Sequence, residues 1–208
     1  EMCIRDSLYI RYLKISRRIQ AGEYLFSEAL TPSQVARKLI RGDTYFRSVT
    51  VPEGLTARET VELLAREGFG DIKEMEKALL KADWIRDLDP RAKNLEGYLF
   101  PETYHFGRKA GSEAILKTMV RQFRTRYAAI AAQTPGSSGM SVSETVILAS
   151  MIEKEVQRAE EGPLVASVLV NRLQRKIPLA CDATIIYAMK LAGTYRGRLG
   201  KADMRMES

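Results

Sequence analysis

The sequence predicts an α+β protein, with small βα units first and a mainly helical part after them. Three observations carry this prediction. The N-terminal third holds an internal echo, in which a short apolar-alternating stretch, a loop and a helix recur in that order. From residue 112 onward the apolar spacing is helical over most of the chain. Between these regions lies an aromatic stretch broken by Gly97 and Pro101, which no regular helix accommodates.

The echo consists of "IQAGEYLFSEALTPSQVARKLIRG" and "VTVPEGLTARETVELLAREG". Tyr24 to Phe26 and Arg47 to Val51 read as strands. Thr31-Pro32-Ser33-Gln34 starts one helix, with Thr at the N-cap, Pro at the first position and Gln at the third. Thr56-Ala57-Arg58-Glu59 is a second capping box. Gly42 and Gly68 sit where the two helices should stop. A helix from about Ile72 to Ala82 follows, then the loop-like "DWIRDLDPRAKN". "LEGYLFPETYHF", Leu95 to Phe106, is the broken aromatic stretch. Ile115, Met119, Phe123 and Ile130 space out a helix from Ser112 to about Ala132. "QTPGSSGMS", Gln133 to Ser141, is a loop. Ser141-Val142-Ser143-Glu144 is a third capping box, which gives Glu144 a capping role. It opens a helix carrying "ILASMIEKEVQ", and a further buried helix is expected from Pro163 to Lys176. The chain closes with "IPLACDATIIYAMKLAGTYRGRLG" and a polar tail.

A chain of 208 residues with 45% hydrophobic and 28% charged residues can bury a core in one or two domains. The net charge of +7 favours anionic partners without choosing among nucleic acid, lipid and acidic polymer. With two cysteines, Cys3 and Cys181, and His105 as the only histidine, a zinc site and a Ser-His-Asp triad are both disfavoured. No apolar run is long enough to span a bilayer. The opening "EMCIRDS" follows no periodicity of the rest, so residues 1–10 read as a non-native leader.

Val146 to Val156 is apolar nearly all round a helix, the pattern of a helix buried at a domain centre. Two glutamates end it. Glu153 lies one turn after Ala149 and Ser150, on a face of small residues. Glu155 lies one turn after Met151 and Ile152, beside Leu148. Small neighbours leave room for a ligand, so Glu153 is preferred as the group that faces a cleft, with Glu155 as runner-up. Two readings stay open. One is an acid kept protonated near neutral pH by desolvation, as general-acid cleavage of a glycosidic bond requires. The other is a helix-end carboxylate paired with a neighbouring cation.

Three stretches, "LEGYLFPETYHF", "ILASMIEKEVQ" and "VASVLVNRLQRKIPLACDATIIYA", resemble in order and spacing the YceG-like family of endolytic murein transglycosylases. "IQAGEYLF" and "VTVPEGLT" resemble the family's upstream LysM-like module. The resemblance covers about Arg11 to Glu207. It implies a LysM-like subdomain over residues 11–46 and a lytic transglycosylase domain over 47–208. It implies a membrane-anchored protein whose catalytic part lies outside the cytoplasmic membrane. The implied reaction cleaves the bond between N-acetylmuramic acid and N-acetylglucosamine within a strand, without water, leaving a 1,6-anhydro end. The first glutamate of "EKE", Glu153, carries the catalysis by resemblance. Glu102, Tyr104, Asn171 and Asp182 are implied as strand-binding groups. No metal and no organic cofactor is implied; peptidoglycan strands and peptidoglycan synthases are the implied partners. The family's membrane helix and a further C-terminal segment are not in these 208 residues, so the chain is expected to be a fragment.

Each strand-binding candidate has a plainer alternative. Glu96 and Glu102 could satisfy loop amides, and Tyr98 and Tyr104 could be core aromatics. Asn171 could cap backbone groups, and Asp182 could serve a turn after Cys181. Cys181 reads as a packed residue. The alternative function is a non-catalytic peptidoglycan-binding module. A nucleic-acid binder rests on net charge alone, since the Lys and Arg are spread along the chain, and no nucleic acid partner is expected.

Overall fold

The structure is a computed structural model that describes residues 18–133, 139–200 and 203. In chain order its elements are α1 (Pro32–Arg41), β1 (Phe46–Thr50), α2 (Ala57–Arg66), α3 (Ile72–Leu79), β2 (Thr103–Gly107), α4 (Ser112–Gln133), α5 (Val142–Glu155), α6 (Gly162–Gln174) and α7 (Asp182–Leu191). Short 3-10 turns occupy Ala82–Trp84 and Ala159–Glu161.

The expected start signals work as local chemistry. The Gln34 side chain takes the Thr31 backbone N–H at 2.8 Å, before Pro32 opens α1. At α2, Thr56 Oγ1 accepts the Glu59 N–H at 3.2 Å while the Glu59 carboxylate accepts the Thr56 N–H at 2.9 Å. At α5, Ser141 and Glu144 exchange the same pair of bonds. Each box satisfies two of the amide donors that a helix start leaves orphaned.

β1 and β2 pair antiparallel, with Val49 opposite Tyr104 and Thr50 opposite Thr103. Alternation sends Val49, Tyr104 and Phe106 inward, onto a core completed by Val61 and Leu64 of α2, Met75 of α3, and Ile115, Leu116 and Met119 of α4. Ile85, Leu95, Tyr98, Val120 and Phe123 form a second cluster, against which Val142 and Val146 of α5 pack. A smaller third cluster, Leu148, Met151, Leu169 and Cys181, joins α5, α6 and α7.

Four expectations change. Tyr24 to Phe26 is not a strand: Leu25 and Phe26 are exposed, and the Tyr24 hydroxyl donates to the Gln20 carbonyl at 2.7 Å instead of its segment joining a ladder. The partner of β1 comes from the end of the broken aromatic stretch, where Tyr104 and Phe106 alternate inward. The helix expected to reach Ala82 ends at Leu79 and passes into the Ala82–Trp84 turn. Neither α5 nor α6 is buried all round. On α5 only Leu148 and Met151 are buried, and Ile147 is 57% exposed, because α5 packs on two sides only. On α6 only Leu169 is buried, with Leu164 and Val168 exposed. The leader expected over residues 1–10 and the loop residues 134–138 lie outside the described residues.

Candidate active site

The capping box at Ser141 fixes where α5 begins, and the 3.6-residue period then assigns its faces. Val146, Ala149, Ser150 and Glu153 share one face. Leu148, Met151, Ile152 and Glu155 share another. The structure gives these two faces different neighbours.

The Glu155 face is packed over its first turn, and Glu155 at its end is exposed. Leu148 and Met151 are buried against Leu169 and Cys181. The Cys181 thiol donates to Glu155 Oε1 at 3.0 Å. Burial, with this carboxylate alongside, pushes the Cys181 thiol above its ordinary range. Glu155 is thus engaged at the start of α7.

The Glu153 face is open between two glycine turns. Gly54 lies in the turn joining β1 to α2, with φ of 74°. A Cβ built there would stand 2.9 Å from Lys154 Nζ and 3.8 Å from Glu153 Cγ. Gly97 has φ of 82°, and a Cβ there would stand 2.7 Å from Val146 Cγ1. Both positions thus combine left-handed backbone with close approach, which glycine alone meets without strain. Ala149 and Ser150 lie between the two contacts on the same face, and both are exposed, as is Glu153. The Ser150 hydroxyl donates to the Ile147 carbonyl at 2.7 Å. The result is an exposed strip of small residues between the Gly97 and Gly54 contacts, with the Glu153 carboxyl at one end.

Glu96 stands beside Gly97. Its two oxygens accept the Ala57 N–H at 3.0 and 3.2 Å, and the Tyr187 hydroxyl of α7 lies near it. Burial pushes the Glu96 carboxyl up, against the opposing pull of those bonds, and the Glu59 carboxylate adds to the rise. Burial and Glu96 push the Tyr187 hydroxyl up to about 12. Lys190, one turn beyond Tyr187, meets Glu59 Oε1 at 2.6 Å. The amide Glu96 accepts opens a helix, where its plainer reading had loop amides; the approach of Tyr187 from α7 was outside sequence reasoning.

The strand-binding candidates are not brought to one place. Tyr104 is buried, and its hydroxyl donates to the Phe100 carbonyl at 2.6 Å. Glu102 pairs with Arg126 of α4 at 2.9 Å and accepts from Gln122. Asn171 is exposed on α6. Asp182 is exposed as the first residue of α7, next to the Cys181 that reaches Glu155. Tyr98 is a buried aromatic, as its plainer reading held, with its hydroxyl donating to Asp89 Oδ2 at 2.6 Å. Among the described residues no three His, Cys, Asp or Glu side chains are grouped to hold a metal ion. Among the same residues no helix is long and apolar enough to cross a membrane.

The chain is 31% identical over 216 residues to the endolytic murein transglycosylase of Bacillus subtilis (strain 168), covering 96% of this chain and 59% of that protein. It is 27% identical over 223 residues to the protein of the same name from Streptococcus pneumoniae (strain ATCC BAA-255 / R6), covering 94% of this chain and 38% of that one. The chain therefore spans well under two thirds of these curated relatives. A crystal structure of a yceG-like protein from Listeria monocytogenes superposes with a TM-score of 0.67 at 25% identity, over 98% of this chain and 71% of that one. The model of the YceG-like family matches residues 3–208, and with these relatives it shows that the chain belongs to the YceG-like family.

Proposed function

We propose that this chain carries the catalytic centre of an endolytic peptidoglycan lytic transglycosylase, with Glu153 as its acid and base. The observation that carries the reading is the division of labour on α5. Glu155 is engaged by Cys181, whereas Glu153 ends an open face of small residues opposite Gly54. The relatives' names supply the substrate class.

A strand laid along Ala149 and Ser150 would bring a glycosidic oxygen to the Glu153 carboxyl, which gives its proton as a general acid. That proton passes to the glycosidic oxygen linking N-acetylmuramic acid to N-acetylglucosamine as the C1–O bond breaks. Positive charge develops at C1, in the oxocarbenium-like state common to glycoside cleavage. The Glu153 carboxylate then takes the proton of the muramic C6 hydroxyl, whose oxygen bonds to C1. The proton is returned to Glu153, no water is consumed, and the product ends in 1,6-anhydro-muramic acid. One carboxyl serves twice, so no nucleophilic second carboxylate is needed. Asn171 and Asp182 are the strand-binding candidates that stand exposed on α6 and α7, free to orient the strand. In this reading residues 11–46 form a glycan-binding LysM-like unit. The natural protein is held at the outer face of the cytoplasmic membrane, beside the synthases that make the strand.

The test is a digest of un-crosslinked strands by the natural protein, read by mass spectrometry beside its Glu153→Gln and Glu155→Gln variants. The expected products end in anhydro-muramic acid. Glu153→Gln abolishes them with the fold intact, and Glu155→Gln retains most of the activity. Reducing-end products would mean hydrolysis and a second carboxylate. Strand binding without cleavage would leave a binding module.

A further inference from the structure

We propose that Glu96 is a positioning residue for Glu153: together with Gly97 it is the junction at which α2 and α5, with α7 alongside, are held to one another, and so it sets the spacing between the Gly54 turn and Glu153. The proposal rests on the assignment of Glu153 made above.

Two consecutive residues bridge two helices here, with a third alongside. Glu96 accepts the Ala57 N–H with both oxygens and lies near the Tyr187 hydroxyl of α7. Gly97 meets Val146 of α5. Ala57 is the first residue of α2, so its N–H has no partner inside the helix. Thr56 already caps α2 locally through Glu59. Glu96, 39 residues away in sequence, thus supplies a second cap by tertiary contact. Its negative charge is well placed at a helix start. The Glu59–Lys190 pair ties α2 to α7 directly, two residues further along α2 and three further along α7.

The bearing on Glu153 follows from chain order. Gly54, which faces Glu153 and Lys154, lies three residues before Ala57 in the loop whose far end Glu96 fixes. The place of the Gly54 turn relative to Glu153 therefore depends on how the start of α2 sits against α5. Glu96 and Gly97 hold both. The titratable groups beside Glu96 are Glu59 of α2 and Tyr187 of α7, so its charge state and theirs are linked.

The test compares Glu96→Ala with Glu96→Gln in the natural protein. The glutamine keeps a carbonyl oxygen for the Ala57 N–H and an amide for the Tyr187 oxygen; the alanine keeps neither. Amide exchange at Ala57 and kcat and KM for strand cleavage are measured where circular dichroism shows every variant folded. In Glu96→Ala the Ala57 amide should exchange about tenfold faster, the loss of one hydrogen bond. Its kcat should fall about tenfold or more with KM changing less, since small misplacements of reacting groups are costly. Glu96→Gln should restore both to within about threefold of the unsubstituted protein. A folded Glu96→Ala with faster exchange and unchanged kcat would overturn the proposal and leave Glu96 a cap. Failure of the unsubstituted protein to cleave, or cleavage independent of Glu153, would overturn the Glu153 assignment and this proposal with it. The two failures are thereby distinguishable.

Discussion

Glu96 and Gly54 show how single residues set the surroundings of Glu153. Burial holds the Glu96 carboxyl above its ordinary 4.5. The folded state therefore binds that proton more firmly than the unfolded state does, and ionisation above this range weighs against folding. Glutamine cannot ionise. The melting temperature of Glu96→Gln minus that of the unsubstituted protein should thus be more positive at about pH 8 than at about pH 4. A flat difference would mean that Glu96 titrates alike in both states. At Gly54 the left-handed backbone would cost an alanine about 1 kcal/mol, read by denaturant unfolding. The clash with Lys154 adds little, because it meets the free end of a flexible side chain. Any fall in strand cleavage beyond that would report the changed wall opposite Glu153.

Elements here are started by side chains and finished by packing. Ser141→Ala should destabilise the protein by about 1 kcal/mol through loss of the α5 cap. Glu153 sits three turns further on, so cleavage per folded molecule should be unchanged. A large loss of kcat would mean that the start of α5 is read at its far end. The capping boxes at Thr31, Thr56 and Ser141 were legible because their chemistry lies within four residues. The faces of α5 were legible for the same reason, and they separated Glu153 from Glu155. The partner of β1 was not legible. Its pairing spans residues 46 to 107, and nothing local distinguishes a strand from an aromatic loop at Thr103–Gly107. Nor was the role of Glu96, since its partners are 39 and 91 residues away and only the fold brings them in. Tyr24 to Phe26 alternates like a strand but meets no ladder, which periodicity alone cannot foresee.

Across the whole molecule the core is uneven. Leu116, fully buried among residues of β1, β2, α2, α3 and α4, should cost about 2–5 kcal/mol when cut to alanine. Leu169 lies in a cluster of only a few residues and should cost less. Amide exchange should therefore find α5, α6 and α7 opening before α2 and α4. Equal protection throughout would show that the large core and the small cluster unfold as one unit. The composition placed the chain among globular proteins, yet it gave no sign that Ile147, Leu164 and Leu191 would remain exposed. Hydropathy records what a helix could bury and not how many sides its neighbours cover.

The Cys181–Glu155 contact gives the protein a built-in clock. The thiol is covered and held in its protonated form, so an aromatic disulfide reagent cannot reach a thiolate while α5 and α7 stay together. With Cys3→Ser removing the other thiol, the speed of labelling at Cys181 counts how often α5 parts from its neighbour. A strand bound along Ala149 and Ser150 should slow that count without touching the sulfur.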